Sequence, residues 1–329
     1  MKKVLVTGGS GFIGTAAVDY CLKNKIKVAN LDVKEPNVVE HQKYYTQVDI
    51  RDFDLLKKTI QKFKPTHILH LAAKTGMDIK SIDVLNANTD GVQNLIDICR
   101  KLPSLKGVVF TSSLLVCENG YIPNGDTDYC PPNLYGESKM IGEQLVRDAD
   151  PKYGWAIVRP TSIWGPWFEH SYKQFFQMID KGLYFHLGKT QIVKPISYVG
   201  NTVHMMFNIL FAPKTKMKGK TFYLADYPGH STRQWAEMIR KNMAAKKIKT
   251  LPLAMIRMAA LLGTAVEKVG VNFPITNFRL NNMLTGGEYP TQNTRELVGD
   301  LPYDLEAAVN ETIVWMHSEG LIQHKLASA

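Results

Sequence analysis

Cysteine is scarce in this chain: four residues in 329 (Cys21, Cys99, Cys117 and Cys130), with no C-x-x-C pair among them. That excludes a redox dithiol and the usual zinc spacings, and a chain this long needs no disulfide framework to hold a core. Long apolar runs are missing too. The nearest, Leu251 to Val266, is interrupted by Arg257 and falls short of the ~20 residues of a membrane span. A strand-like run begins within the first residues, with no leader before it, so a reduced, soluble, cytoplasmic protein without stable membrane insertion is expected. Arginine-rich stripes, internal repeats and low-complexity tracts are also absent. A nucleic-acid partner is therefore not expected, since only net charge would support one. That charge is +10, carried by scattered lysines with knots at Lys57-Lys58, between Lys214 and Lys220, and from Lys246 to Lys249. It reads as a solvated basic surface.

What is present is ordinary globular composition, 45% hydrophobic and 21% charged, with length for one large domain or two. Val4-Leu5-Val6, Lys27 to Leu31, Tyr44 to Val48, His67 to Leu71, Val108-Val109-Phe110 and Ala156-Ile157-Val158 read as strands. Helical patterns lie between them, at Asp52 to Phe63, Asn86 to Lys101 and Tyr135 to Asp148. Short, continuous apolar strands separated by helices mark a parallel sheet covered on both faces. The fold class expected is α/β, a Rossmann-like doubly wound parallel sheet. After Gly165-Pro166 the rhythm weakens, and aromatics crowd in from Trp164 to Phe176. They read as core, with a pocket wall as the alternative. The first domain is placed at 1–165, regaining a segment near 192–212, and a smaller mixed α/β substrate lobe at 166–329. Leu251 to Val266 reads as a core or lid helix with one buried face.

Thr7-Gly8-Gly9-Ser10-Gly11-Phe12-Ile13-Gly14 follows the first strand and opens a helix whose stripe is Ile13, Ala17 and Cys21. Glycines let the backbone turn tightly and let a pyrophosphate approach the helix N-terminus, where N–H groups and the dipole favour anions. Asp32 ends the second strand. A carboxylate there can bond a ribose 2′-hydroxyl and repels a 2′-phosphate, which selects NAD over NADP; nearby Lys34 is the residue that would soften that preference.

Tyr135-Gly136-Glu137-Ser138-Lys139 stands at the start of a helix, with phenol and ammonium on one face. Val108 to Ser113 brings hydroxyls to the carboxyl end of the preceding strand, where ligands of open α/β sheets bind. A free tyrosine, with a pKa of about 10, is a poor base at neutral pH. A lysine ammonium and a positively charged nicotinamide both favour its phenolate. Tyr135 would then take a proton from a substrate hydroxyl, Ser113 would hold the substrate oxygen, and Lys139 would also bind the nicotinamide ribose. His67 and His70, three apart on a strand, face opposite sides and cannot share a metal. No metal site is expected.

These residues, with Asp49-Ile50, His70 to Ala73, Arg159-Pro160, Leu297 to Gly299 and Trp315, resemble the extended short-chain dehydrogenases, the NAD-dependent epimerase/dehydratase family. That family includes UDP-glucose 4-epimerases, sugar-nucleotide dehydratases and 3β-hydroxysteroid dehydrogenases. The resemblance implies a cofactor site built from Gly8, Gly11, Phe12, Ile13, Gly14, Asp32, Asp49, Ile50, Leu71, Ala72, Ala73, Lys74, Asn88, Tyr135, Lys139 and Pro160. Within it Asp49 and Ile50 would flank the adenine, and Asn88 would help a proton relay. It implies a substrate site at Thr75, Ser113, Ser162 and Lys194, and a homodimer formed through the helices at 86–101 and 135–148.

Departures from the family narrow the chemistry. Where 4,6-dehydratases carry Thr-Asp-Glu, this chain has Ser113-Leu114-Leu115, and two leucines cannot supply the acid and base of a water elimination. Leu115 also stands where GDP-fucose synthase-like enzymes place a cysteine. Redox at one carbinol remains: 4-epimerisation, 4-keto reduction or alcohol oxidation. A nucleotide-linked sugar is the expected substrate, with Lys194 where the family's arginine meets a diphosphate, though as a point charge. Ser162, the stretch from Arg159 to Pro166, Tyr198 to Asn201 and the apolar Leu251 to Val266 lean instead toward the hydroxysteroid branch and an apolar alcohol. A non-catalytic NAD-sensing protein and an RNA-associated relative are the readings from other classes; the intact Ser113, Tyr135 and Lys139 oppose the first. Asp32 gives a direct expectation: fluorescence titration should show tighter binding of NAD than of NADP. Equal or tighter NADP binding would contradict it.

Overall fold

The computed structural model describes residues 1–76, 79–121, 123–168, 171–267, 276–287, 289–324 and 326. The chain divides into two compact units, one of 1–163, 197–226 and 289–302, the other of 164–196, 227–288 and 303–329.

The first unit is built on seven parallel strands: β1 (Lys3–Thr7), β2 (Lys27–Asp32), β3 (Tyr45–Gln47), β4 (His67–His70), β5 (Gly107–Thr111), β6 (Gly154–Pro160) and β7 (Lys220–Leu224). Their order is β7-β6-β5-β4-β1-β2-β3. The inner strands are the continuous apolar runs, and Val4, Leu5, Ile68, Leu69, Val108 and Val109 are all fully buried. Burial on both faces is what such runs require, and the helices supply it. These are α1 (Phe12–Lys23), α2 (Phe53–Phe63), α3 (Asp90–Cys99), α4 (Leu134–Ala149) and α5 (Val199–Phe211). Ala17 and Cys21 of α1 are buried as their spacing predicts, with Gly14 and Val18 beside them. Asp52 caps α2 by accepting from Leu55 N–H, and Asn133 caps α4 by accepting from Gly136 N–H.

The helix expected over 86–101 is shorter. 3₁₀ turns run from Ile82 to Asn88, and α3 starts at Asp90. Asn88 is buried and bonds its amide outside the helix. The sheet order reverses between β1 and β4, so the loops after them diverge and leave a crevice at their carboxyl ends.

The returning segment is fastened by one buried acid. Asp226 accepts from Ser197 Oγ, Tyr198 N–H and Asn201 Nδ2, and burial raises its carboxyl to about 6. The 289–302 segment joins through Thr294 Oγ1, which donates to Tyr223 O at 2.8 Å, and through Tyr289 stacked on Tyr223.

The second unit is mixed: a parallel pair, Phe185–Leu187 with Lys249–Leu251, and helices that include 232–242, 253–267, 277–284 and 305–318. Its aromatics are core. Trp164, Phe168, Phe176 and Trp235 are buried, with ring centroids of Trp164 and Trp235 4.9 Å apart. No helix among the described residues is long and apolar enough to cross a membrane.

Candidate active site

The turn after β1 is shaped by close backbone approach. Gly8 has φ of +75°, and a Cβ there would lie 2.6 Å from Ala72 N; at Gly14 it would lie 2.0 Å from Gly8 O. Only hydrogen fits at either place. The segment after β4 is pinned alongside, with Leu71 N–H donating to Thr7 O at 3.0 Å and Ala72 N–H to Thr7 Oγ1 at 3.4 Å. Gly11 starts α1 without a capping side chain and with no acid in the first turn. The positive end of that helix therefore faces the turn. Phe12 and Ile13 follow, half-buried.

Asp32 is held beside this turn. One carboxylate oxygen accepts from Ser10 N–H at 2.9 Å, and the other from Lys34 N–H at 3.0 Å. A carboxylate offers about four acceptor positions, so capacity remains for hydroxyl donors. Lys34 contributes its backbone, while its side chain is exposed. Asp49 sits past β3, paired with Arg51 at 2.5 Å, whose hydrogen bonds hold the carboxyl below its ordinary range. Ile50 is buried against Gly91 of α3, and its carbonyl accepts from Asn94.

Asn88 joins two parts of the site. Its Oδ1 accepts from Lys74 N–H at 2.8 Å, while its Nδ2 donates to Lys74 O and to Ser138 Oγ, both at 2.9 Å. Ser138 Oγ donates in turn to Tyr135 O. The loop after β4 is thereby tied to the first turn of α4, where Tyr135 and Lys139 project. Ser113, at the end of β5, hydrogen-bonds the Tyr135 phenol. Burial raises that phenol above its ordinary value, and the Ser113 bond works against the rise.

Lys139 is buried, its Nζ donating to Thr111 O at 2.8 Å. Burial pushes the ammonium down to about 8, and the negative charge of Glu143 opposes that shift. Glu143 lies one turn further along α4 and is gripped by Arg159 of β6, Nε to Oε1 and Nη2 to Oε2, each at 2.8 Å. Arg159 also donates to Tyr223 OH, and Tyr129 OH donates to Glu143 Oε2. A small cavity adjoins Lys139, lined by His70, Asn88, Thr111, Ser112 and Glu143. Burial, with Lys139 nearby, holds the His70 imidazole down to about 3, so it stays neutral. His67 and His70 turn to different partners, Thr66 and Thr7.

Residues 4–225 match the model of the NAD dependent epimerase/dehydratase family. The chain belongs to that family. Over 94% of both chains it is 24% identical to N-acetyl-alpha-D-glucosaminyl-diphospho-ditrans,octacis-undecaprenol 4-epimerase of Escherichia coli O157:H7. It is 27% identical to the decarboxylating sterol-4-alpha-carboxylate 3-dehydrogenase of Saccharomyces cerevisiae, over 98% of this chain and 99% of that one. UDP-glucose 4-epimerase of Thermotoga maritima, solved with UDP-glucose, superimposes with a TM-score of 0.72 at 18% identity, covering 96% of this chain and 99% of the other. The fold is thus that of the epimerase/dehydratase enzymes, and NAD is the cofactor. The residues present fit it: two glycine positions that a Cβ would block, a helix end without a capping side chain, and an acid with spare acceptor capacity.

The remaining expected site residues lie elsewhere along the chain. Ala73 lies in the loop after β4, Thr75 is exposed beyond it, Pro160 closes β6, and Ser162 is exposed shortly after. Lys194 belongs to the second unit, where its Nζ donates to Asn282 O at 2.7 Å. The motifs pass over Glu143, although Tyr135, Lys139 and Glu143 form a single i, i+4, i+8 row that could have shown it. Asn37, which donates to Ser10 O, carries no sequence signal.

Three outcomes are expected of this family member. Tyr135→Phe keeps the ring, so NAD binding survives while turnover falls about 10²–10⁴-fold; more than a tenth of wild-type activity would remove Tyr135 as the base. Lys139 should titrate near 8 by carbon NMR of its Cε, and Glu143→Gln should lower that midpoint by removing the opposing charge. Because the folded chain releases this proton before the unfolded chain does, Lys139 should add stability as pH rises from about 8 towards 10.5. Lys139→Met should abolish that rise.

Proposed function

We propose that the enzyme carries out redox at one carbinol carbon of a nucleotide-linked sugar, as a 4-epimerase or a 4-ketoreductase. The observation that carries this reading is the Ser113–Tyr135–Lys139 arrangement followed by Leu114 and Leu115, which serves proton transfer at one hydroxyl and offers nothing for elimination. NAD, when bound, accepts hydride from the carbinol carbon and can return it.

The glycine turn, Asp32 and the loop from Leu71 to Lys74 would hold that cofactor, as would Tyr135 and Lys139. Tyr135 takes the hydroxyl proton as the ketone forms, and Ser113 holds the oxygen throughout. Lys139 would supply a positive charge on the same helix face as the phenol and would bond the cofactor's ribose. In an epimerase the bound ketone turns over before Tyr135 gives the proton back. In a reductase Tyr135 would protonate the oxygen of a ketone that arrived from solution, while hydride for the carbon would come from the reduced cofactor, NADH. The Escherichia coli relative, whose name describes a 4-epimerase of a sugar joined through diphosphate to undecaprenol, supports the 4-epimerase part of this reading over nearly the whole chain, with a lipid rather than a nucleotide as the carrier there.

A second reading, oxidation of an apolar sterol-like alcohol, is favoured by the yeast relative and by the missing arginine near Lys194. The two separate on charge, because association of an anionic ligand weakens with ionic strength and that of an apolar alcohol does not. Melting of the NAD complex should be followed with UDP, GDP, dTDP and a sterol, at low and high salt. A nucleoside diphosphate that raises the midpoint at low salt only is the expected result. Stabilisation by the sterol alone would replace this reading with the second.

A further inference from the structure

The helix at 253–267 was expected to bury one apolar face, and it does. Ile256, Ala260 and Gly263 turn inward, with Leu280 of the 277–284 helix packed in the same cluster. Its other face is apolar as well and lies open. Met255 is 55% exposed, Met258 61%, Leu261 60% and Leu262 68%, with Val266 continuing the row. At 100° per residue these side chains, with Ala254 and Ala265, cover an arc of about 140°. Scattered surface leucines need no explanation, but a contiguous stripe of this kind marks an interaction surface.

The charge around the helix points to the partner. Between Glu237 and Glu267 the chain has no acidic residue and six cations: Arg240 and Lys241, which pair with Glu237 and Glu306, and Lys246, Lys247, Lys249 and Arg257. Arg257 is exposed at the border of the arc, and Lys246, Lys247 and Lys249 are exposed on the short strand and turn leading into the helix. A second copy of this chain would bring the same positive charge against itself. An anionic surface is complementary, and apolar side chains rimmed by lysine and arginine are what seats a helix in the headgroup layer of a bilayer. The helix, 15 residues and so about 22 Å long, is too short for the ~30 Å hydrocarbon layer and would lie in the interface.

We propose that the exposed face of the 253–267 helix, with Arg257 and the lysines at 246–249, docks the second unit reversibly onto an anionic lipid surface. The inference does not depend on which alcohol is the substrate.

The test is flotation of the full chain, loaded with NAD, with vesicles of phosphatidylcholine alone and of phosphatidylcholine mixed with phosphatidylglycerol, at low and high salt. Binding to the mixed vesicles, weakened by salt, is expected. The double variant Met258→Glu/Leu262→Glu should lose at least about tenfold in vesicle affinity, and Lys246→Glu/Lys247→Glu about fivefold or more. Because these positions are exposed, both variants should bind NAD like wild type, which reports an intact fold. No binding to anionic vesicles, equal binding to both kinds, or unchanged binding by the double variant would overturn the proposal. So would sedimentation showing that Met258→Glu/Leu262→Glu converts a lipid-free dimer to monomer, which would make the face a subunit contact.

Discussion

An ammonium kept charged while buried is the constraint around which the first unit is arranged. Burial disfavours the charged form of Lys139, and what opposes this is the Thr111 carbonyl that accepts from Nζ and the negative charge of Glu143. Glu143 is itself buried, so it needs a partner in turn, and Arg159 meets it with both prongs of the guanidinium fork. Arg159 is fully buried too and leans on Tyr223 and the Asp126 carbonyl. The compensation therefore runs from α4 through β6 to β7. Loss of one member leaves an uncompensated buried charge, a cost of about 3–5 kcal/mol in comparable pairs. A pair of this kind adds little net stability, because the desolvation it must offset is large. Its effect here is electrostatic and local: it sets the field at Lys139.

The first turn of α4 and the glycine turn after β1 are far apart in the chain, and two short-range contacts hold them to a common frame. The close approach of Gly8 to Ala72 fixes the loop after β4 against the turn after β1. Asn88 then fixes the same loop to the first turn of α4. The loop from Leu71 to Lys74 is thus clamped at both ends by groups that tolerate no substitute of another size or polarity. The interruption of the helix before Asp90 follows from this, since a buried amide committed to Lys74 and Ser138 competes with regular helical geometry.

Much of the first unit was legible because its signals are local. Each inner strand is a continuous apolar run, α2 and α4 start on the capping residues Asp52 and Asn133, and the glycines of the first turn stand between a strand and a helix. Tyr135 and Lys139 share a helix face by spacing alone. Those features depend on neighbours within a few residues, and there the chain's own chemistry decides the outcome.

Tertiary structure decided what lies against what. Glu143 and Arg159 sit on different elements, and nothing in their separation says that they meet. The attachment of 289–302 to the sheet through Thr294 and Tyr289 leaves no periodic trace. The 253–267 helix makes the distinction plain. Its sequence predicted one buried apolar face, which Ile256, Ala260 and Gly263 form, but left open what covers the other. Periodicity reports which side chains a helix presents on each face, whereas what covers a face depends on the position of every other element, which no local pattern records. The amino-acid sequence therefore determined the family, the glycine turn and the shared helix face of Tyr135 and Lys139, while the buried charge chain behind Lys139 and the open apolar face exist only once distant segments are packed together.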